Sequence, residues 1–411
     1  MQTNKNEKTV HEPLFHISKR GEIKWWKSWL IRLSAILIVS LLCIILTCAF
    51  TKLSPFSAIG YMFSGNFGFG MAWDTIYNIA ILLLISLAVA PAFKMKFWNI
   101  GADGQTLMGI LACAICSQYL GGKVPDALLL VMMFVASILA SVIWAVIPAI
   151  FKAIWNTNET LFTLMMNYIA TLFVKFFLES WMKKGSTGSS WDFNYGLLPE
   201  ASNKYLLPII IIPAVTAVMF IYLKYSKQGY EISVVGESVN TAKYSGINVK
   251  KVVIRTLVIS GIICGIAGFI LVNIECVLDA SMVGGMGFTA IIVAWLAKFN
   301  PVYMILTSFL IIFSGQGMSE IMTRGGIVSG SQAFPDIITG LLFFFIIGCE
   351  FFIAYKVTTR SGKTIGQLIK EVWLSFIALF KKKEVKKEEL VQNDGETVTE
   401  TDKNENGEVE Q

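Results

Sequence analysis

The motifs of this chain that could perform catalysis each fail on inspection. Both histidines lie in the polar N-terminal tail, so no apolar segment offers an imidazole as base or metal ligand. Residues 361–364 read SGKT like the end of a phosphate-binding loop, but Val357 stands where that loop requires glycine. Cys113 and Cys116 form a CxxC pair inside an apolar run, where cysteine usually packs as a small residue. The sequence therefore predicts no enzyme activity, no metal site and no cofactor bound by this chain.

Polar side chains do cluster in residues 97–109 (FWNIGADGQTLMG), at the predicted inner start of an apolar helix. Asp103 is costly to expose to lipid, because a charge at the bilayer centre costs about 2.5–3.5 kcal/mol on insertion scales. Two interpretations stay open: a helix cap that interacts with the macrodipole, or a polar lining of a pore or a contact between subunits. The residues assigned to a translocation path or subunit contact are Asn99, Asp103, Gln105, Asn167, Asn273 and Glu275.

A second pattern lies in residues 260–268 (SGIICGIAG), where small residues recur at four-residue spacing. Small residues on one helix face let two membrane helices approach closely. The residues predicted to pack helices in this way are Ser260, Gly261, Cys264, Gly265 and Gly268.

A polar segment, residues 228–251 (QGYEISVVGESVNTAKYSGINVKK), separates two long apolar runs. It is longer than the roughly 4–6 residues of a typical compact connection. It also carries glycines, lysines and the acidic residues Glu231 and Glu237. The segment is therefore predicted to contact a partner outside the lipid.

Composition indicates the elements that position these residues. The chain is 55% hydrophobic and only 15% charged, whereas soluble domains carry about 25% charged residues. Several apolar runs reach the roughly 20 residues that cross a bilayer. The sequence predicts an all-α integral membrane protein with about ten spans, at about 30–50, 75–93, 101–120, 127–150, 160–180, 205–224, 253–274, 286–298, 302–319 and 337–357.

The distribution of basic residues predicts the orientation. With a cytoplasmic N-terminus, 18 Lys and Arg residues flank the inner ends of the spans and 7 flank the outer ends. This asymmetry follows the positive-inside rule and predicts that both termini, and the polar segment, are cytoplasmic. The net charge of +6 does not suggest binding to nucleic acid, because the basic residues stand at helix ends rather than in one patch.

The remaining segments are predicted from their composition. Residues 1–29 form a cytoplasmic tail whose Trp-rich end (ISKRGEIKWWKSWL) suits an interfacial helix, and residues 30–357 form the transmembrane domain. Within that domain we expect a cytoplasmic loop at 225–252, an outer loop at 181–204, and an outer-surface or re-entrant segment at 55–74. Residues 358–387 suit an amphipathic helix followed by lysines, and the acidic tail at 388–411 is predicted to be disordered.

Five motifs occur in an order typical of one family: NIGADGQ at 99–105, TLMMNYIA at 163–170, GYEISVVGES…AKYSGI at 229–247, SGIICGIAG at 260–268 and GMGFTAIIVAWLAKFNP at 285–301. The chain resembles the permease subunit of bacterial ATP-binding-cassette (ABC) importers of the nucleoside and simple-sugar (ribose-type) family. The likeness covers residues 60 to 357, and the chain departs from the family pattern at Asp103, Ser238 and Lys243.

The resemblance implies that the polar segment docks onto a cytoplasmic ATPase, which carries the ATP and Mg²⁺. The residues that match the family's coupling loop are Gly229, Glu231, Gly236, Glu237, Ala242, Gly246 and Ile247.

The resemblance also implies a bacterial plasma-membrane location and three partners: a second permease chain in a heterodimer, the ATPase, and an extracytoplasmic substrate-binding lipoprotein. Nucleosides are the first expected substrate class, and ribose-like sugars are the alternative. An ion-coupled secondary transporter would instead require paired titratable residues near the membrane midplane. Asp103 and Glu275, predicted near span ends, give little support for that third interpretation.

Overall fold

The computed structural model of the protein describes residues 15–19, 53–181, 190–197, 205–324 and 355–359, with single residues within 26–48 and 337–353. The chain divides into two compact units. The smaller consists of Met1–Leu37 and Phe345–Gln411, and the larger consists of Ile38–Phe344. The predicted amphipathic helix after residue 359 and the predicted acidic tail lie outside the described residues.

The larger unit is built from helices, which its described residues form in the following order. They are α1 (Pro55–Phe67), α2 (Met71–Lys94), α3 (Ala102–Leu120), α4 (Asp126–Trp155), α5 (Glu159–Trp181), α6 (Leu206–Tyr225), α7 (Lys227–Glu237), α8 (Val239–Tyr244), α9 (Val249–Glu275), α10 (Met286–Leu296) and α11 (Pro301–Arg324).

Long apolar helices dominate this unit. Six of those described are long and apolar enough to cross a membrane, with mean hydropathies from 1.4 to 2.6: α2, α4, α5, residues 208–225 of α6, α9 and α11. Backbone groups in lipid must be hydrogen-bonded internally, which continuous helices achieve. The prediction of an all-α, multi-pass membrane protein is therefore confirmed.

One predicted span is much shorter than the others. The span predicted at 286–298 corresponds to α10, which has only 11 residues and rises about 16 Å, roughly half of a crossing. Near its end, the ring of Trp295 lies 5.5 Å from that of Trp98, which packs against Phe93 at the end of α2. The helix lies within the predicted bounds, and it begins inside the bundle beside Asp103.

Helix α9 is the centre of the bundle, and it is buried over most of its length, as is α2. A side chain at Gly261 would approach the Cα of Val142 to 2.6 Å, and one at Gly265 would approach the Cα of Ile138 to 2.6 Å. The missing side chains thus allow α9 and α4 to come into backbone contact. Gly268 in turn packs against the backbone of α3.

The segment predicted as outer-surface or re-entrant, residues 55–74, contains α1 and the start of α2. Helix α1 begins with Ser54 as N-cap and Pro55 in its first turn, positions that favour both residues. Its Asn66 donates to the carbonyl of Phe313 at 2.9 Å, and Gly317 packs against Met62. These contacts fix α1 along α11.

The described residues also form two short antiparallel sheets. In the larger unit, strand β2 (Ser190–Asp192) pairs with β3 (Val277–Asp279), which joins the predicted outer loop to the segment that follows α9. In the smaller unit, β1 (Phe15–Lys19) pairs with β4 (Tyr355–Thr359).

The second sheet corrects two predicted helix ends. The predicted interfacial helix cannot include residues 17–19, and the last predicted span cannot include 355–357, because both stretches are strands. Alternation of apolar and polar residues in FHISK and YKVTT is the sequence signal for strands, and it competes with the hydropathy of the neighbouring apolar runs.

Candidate functional site

A break in the helical backbone between α2 and α3 forms the centre of the polar cluster. Residues 97–100 are not helical, so their amides and carbonyls need partners. Thr163 of α5 accepts from the amide of Ile100 at 3.2 Å, and Asn167 donates to the Ile100 carbonyl at 2.8 Å. Side chains from α5 thus replace the hydrogen bonds that a continuous helix would have made.

Asn167 also caps the next helix. Its Oδ1 accepts from the amide of Gly104 at 2.9 Å, which is one of the first-turn amides of α3 that lack a partner within the helix. A side chain at Gly104 would approach this Oδ1 to 2.8 Å. The glycine is therefore what lets α5 approach closely enough to cap α3.

Asn99, Gln105 and Ser260 form a closed ring of hydrogen bonds. Asn99 donates to Ser260 Oγ at 3.1 Å, Ser260 donates to Gln105 Oε1 at 3.0 Å, and Gln105 donates to Asn99 Oδ1 at 3.2 Å. All three are buried. Ser141 of α4 adds a bond to the Gln105 carbonyl at 2.7 Å. The ring joins α3 and α9 to the broken segment.

Asp103 connects two helix N-termini. It lies in the first turn of α3, and its Oδ1 accepts from the amide of Gly287 in the first turn of α10 at 2.7 Å. A helix N-terminus carries a partial positive charge, so both helices favour this carboxylate. A side chain at Gly287 would collide with Asp103, and glycine is therefore required for this contact.

The cluster lies at mid-depth in the bundle, level with the middle of α4 and of α9. Ser260 is about 11 residues into α9, or roughly 16 Å along the helix axis. Ser141 is about 14 residues from the end of α4, or roughly 21 Å. Asp103 itself lies in the first turn of α3.

Asn273 and Glu275 do not join this cluster. Asn273 is buried and donates to the carbonyl of Phe269 within α9, and Glu275 is exposed at the end of that helix. They lie about 13–15 residues beyond Ser260, which corresponds to roughly 20 Å. The structure therefore separates the predicted path residues into a mid-depth group and a pair near the other end of α9.

The polar segment folds into a helical hairpin formed by α7 and α8, residues 227–244. Ser226 caps α7 by accepting from the Gly229 amide at 2.9 Å, and Ser238 caps α8 by accepting from the Thr241 amide at 3.2 Å. Serine is among the favoured N-caps. One serine cap at the start of each helix explains why a polar segment that contains glycines is helical.

The hairpin is fixed to the membrane helices at three points. Glu231 accepts from Arg255 of α9 at 2.8 Å. A side chain at Gly229 would collide with the backbone of α6, and one at Gly236 would collide with the carbonyl of Lys94 at the end of α2. The hairpin is consequently in close backbone contact with α6 and α2.

The structure divides the seven residues predicted to contact the ATPase into two groups. Gly229, Gly236 and Ala242 are buried, and Glu231 is paired with Arg255. Glu237 and Gly246 are exposed, while Ile247 is partly buried. Five of the seven, Ile247 included, therefore contact the rest of this chain, and only some can contact a partner directly.

Exposed apolar residues of the hairpin were missed by the sequence reasoning. Tyr244 is 94% exposed, Tyr230 68% and Val239 45%. Exposed tyrosines are typical of protein–protein contacts. The sequence signal for these exposed residues was their position outside the long apolar runs. The prediction was based instead on the glycines and acidic residues of the same segment.

The fold and these two sites define a class of protein. A helix break at mid-depth, stabilised by side chains from four helices, is tolerated in membrane proteins where it is buried in protein or lines a pathway. The hairpin outside the apolar helices is in close backbone contact with α6 and α2. Together they describe a multi-pass membrane transport protein.

The chain belongs to the family described as the branched-chain amino acid transport system / permease component, which matches residues 71–347. Its role is therefore transport rather than catalysis.

Curated relatives carry names that agree with this family. The chain is 27% identical over 324 residues to a glucose ABC transporter permease protein of Haloferax volcanii, covering 74% of this chain and 84% of the relative. It is 28% identical to a guanosine ABC transporter permease protein of Bacillus subtilis, covering 70% and 85%. It is 26% identical to a nucleoside ABC transporter permease protein of Lactococcus lactis, covering 66% and 78%.

Proposed function

We propose that this chain forms the translocation pathway for nucleosides in an ATP-driven importer of a bacterial plasma membrane. Two of the similar permeases are named for guanosine and for nucleosides. The glucose permease supports the alternative, a pathway for ribose-like simple sugars. In this proposal both termini are cytoplasmic and the chain has about ten membrane crossings, as the charge distribution predicts.

The α7–α8 hairpin is the observation that carries the coupling part of the proposal. We assign the ATPase contact to its exposed residues, Glu237, Val239, Lys243 and Tyr244. ATP and Mg²⁺ bind to the ATPase, and this chain binds no cofactor. Closure of the ATPase would move the hairpin as a rigid body, and its contacts with α2, α6 and α9 would carry that motion into the membrane.

The charge at the mid-depth cluster supports an uncharged substrate. In transporters with broken helices, the exposed N-termini of half-helices can bind an anionic group of the substrate. Here the carboxylate of Asp103 already occupies the N-termini of α3 and α10. An amino-acid carboxylate would meet a negative charge at this position, whereas a nucleoside or a sugar would meet hydrogen-bonding groups.

The complete importer requires partners. We propose a second permease chain in a heterodimer, the cytoplasmic ATPase, and an extracytoplasmic binding lipoprotein that delivers the substrate. Asn273 and Glu275, near the end of α9 that is predicted to be outer, are assigned to the entrance of the path, and Asn99, Asp103, Gln105 and Asn167 to its middle.

The test of coupling is purification of the tagged chain from its native membrane. An ATPase subunit should co-purify, and uptake in sealed vesicles should require ATP inside the vesicle. Uptake that continues without ATP and stops when the proton or sodium gradient is collapsed would identify a secondary transporter and overturn the proposal.

The substrate class is tested by competition. In the same vesicles, supplied with the binding protein, unlabelled guanosine or adenosine should reduce uptake of a radiolabelled nucleoside, and ribose or leucine should not. Uptake of labelled ribose with no inhibition by nucleosides would favour the sugar alternative. Uptake of leucine would contradict the argument from the charge of Asp103.

A further inference from the structure

A cavity of about 660 Å³ lies beside the hairpin, at the ends of three membrane helices. Its walls are the turn after α2, the end of α4, the junction of α7 with α8, and the start of α9. Its volume is in the range of roughly 300–1,000 Å³ that is typical of ligand sites. It is separate from the mid-depth cluster, since the residues that line the two sites do not overlap.

The lining of this cavity is rich in lysine. Lys96, Lys152, Lys243 and Lys250 line it together with Glu159 and Glu237. Lys152 forms an ion pair with Glu159 at 2.8 Å. Within residues 53–181, 190–197 and 205–324, the other three lysines have no carboxylate at salt-bridge distance. Four lysines and two glutamates leave two positive charges without compensation.

The backbone at Lys96 places one of these lysines directly after α2. Its φ is +59°, in the left-handed region, where residues other than glycine are uncommon and where strain often marks a functional position. The strained turn ends α2 and places Lys96 in the wall of the cavity.

The positions of the lysines along the chain set the depth of the cavity. Lys96 is two residues beyond the end of α2, Lys152 is in the last turn of α4, and Lys250 is in the first turn of α9. Lysines at the ends of membrane helices typically extend to the interface between lipid and water. Lys243 belongs to α8, so the cavity faces both the membrane surface and the hairpin.

We propose that this cavity binds a phosphate-bearing anion, supplied by an anionic phospholipid headgroup or by a soluble phosphate compound. Lysine clusters between membrane helices on the cytoplasmic side form sites for anionic headgroups. Lysine ammonium groups bind phosphate as point charges, and a phosphate group matches the two uncompensated positive charges. The bound anion would link Lys243 of the hairpin to the ends of α2 and α9, and so hold the hairpin against the bundle.

Binding of an anion in this cavity does not depend on the proposed function. Only its location on the cytoplasmic side, and its effect on coupling, rest on that proposal. A binding test without ATPase, binding protein or transported substrate therefore fails or succeeds independently of the function proposed above.

The test uses the full-length chain in a neutral detergent at constant ionic strength. Its thermal unfolding midpoint is measured against short-chain phosphatidylglycerol, short-chain phosphatidylcholine, sodium phosphate and sodium chloride. The test variant is K96Q/K250Q, which removes two cavity lysines that are not part of the assigned ATPase contact. The control is K227Q/K251Q, which removes the same charge from exposed lysines that do not line the cavity.

We expect phosphatidylglycerol or phosphate to raise the unfolding midpoint more than phosphatidylcholine or chloride does. The apparent Kd should be roughly tenfold or more weaker in K96Q/K250Q, because each lysine near an anion adds to its attraction, and unchanged in K227Q/K251Q. An effect of phosphatidylglycerol alone would identify the lipid as the source, and an effect of phosphate alone would identify a soluble anion.

Two results would overturn the proposal. One is equal stabilisation by all four additives, and the other is an equal loss of binding in both double variants. If K96Q/K250Q does not fold, the single variants K96Q and K250Q replace it. Each should then weaken binding by roughly threefold, and unchanged binding in both would also reject the site.

Discussion

Asn99 and Asn167 hold the broken backbone with their side-chain amides. The polar cluster predicted in residues 97–109 includes Asn99 and Gln105, and the structure joins these two by a hydrogen bond. The partners Thr163 and Ser141 were missed. Thr163 and Asn167 stand four residues apart on one helix face, which was a usable signal. Which helix they contact depends on packing between distant segments, and one sequence does not give that.

The contact between Asp103 and Gly287 gives the first prediction. D103A leaves the buried Gly287 amide without an acceptor and should lower the free energy of unfolding by about 1–3 kcal/mol. D103N keeps an oxygen at this position and should lose less. Thermal unfolding of the purified chain in detergent, followed by circular dichroism, measures both. Equal losses in the two variants would show that the hydrogen bond does not hold α10 in place.

Glycines in α9 give the second prediction. G261A and G265A add a methyl group that would lie 2.6 Å from the backbone of α4, so each should destabilise the chain by about 1–3 kcal/mol. G60A is the matched control, because nothing lies within 4 Å of a side chain at Gly60. It should leave stability unchanged or raise it by about 0.5–1 kcal/mol. Similar effects at all three positions would contradict close packing of α9 on α4.

At the scale of elements, the polarity of residues 228–251 predicted a contact with a partner but not which residues of the hairpin are free to make it. The polar segment was expected to be a contact for a partner, and its helices expose Tyr244 and Lys243. Its glycines were assigned to the same contact, but Gly229 and Gly236 pack against α6 and α2. Composition alone does not distinguish a glycine that faces a partner from one that lets two helices of the same chain touch.

Two hairpin variants should distinguish docking of the ATPase from transmission of its motion to the membrane helices. Y244A removes the most exposed aromatic ring of the hairpin and should reduce ATPase co-purification by roughly tenfold or more, since interface tyrosines often contribute at least 1–2 kcal/mol. G236A disturbs the contact with α2 and should lower ATP-driven uptake while the ATPase still co-purifies. Pull-down yields and vesicle uptake measure the two effects. Loss of uptake with full ATPase recovery in Y244A would place docking elsewhere.

The ion pair between Glu231 and Arg255 gives a further prediction for the same element. E231Q and R255Q should each reduce uptake, because the hairpin loses its side-chain link to α9. Since the pair is partly exposed, its coupling energy should be no more than about 1 kcal/mol. A double-mutant cycle on thermal stability measures it. The reversed pair E231R/R255E should recover part of the uptake, and no recovery would indicate that the pair acts separately.

At the scale of the whole molecule, hydropathy predicted the membrane class, most long helices and the position of the short helix α10, but not the reason why α10 is short. A sliding window counts apolar residues, and α10 together with its flanking turns satisfies that count. Helix continuity depends instead on glycines 284, 285 and 287 and on the acceptor supplied by Asp103. A helix interrupted by turns is tolerated here because α10 is buried against α2, α3 and α11.

The direction of α10 leads to the last prediction. If the non-helical residues 280–285 and α10 together complete one crossing, the turn after α10 lies on the same side as the hairpin. In a variant without native cysteines, K298C and N240C should react with a membrane-impermeant maleimide only after the cells are permeabilised. K123C, between α3 and α4, should react in intact cells. Reaction of K298C in intact cells would show that α10 returns to the outer side, and reaction of N240C there would place the hairpin outside, where no ATPase could bind it.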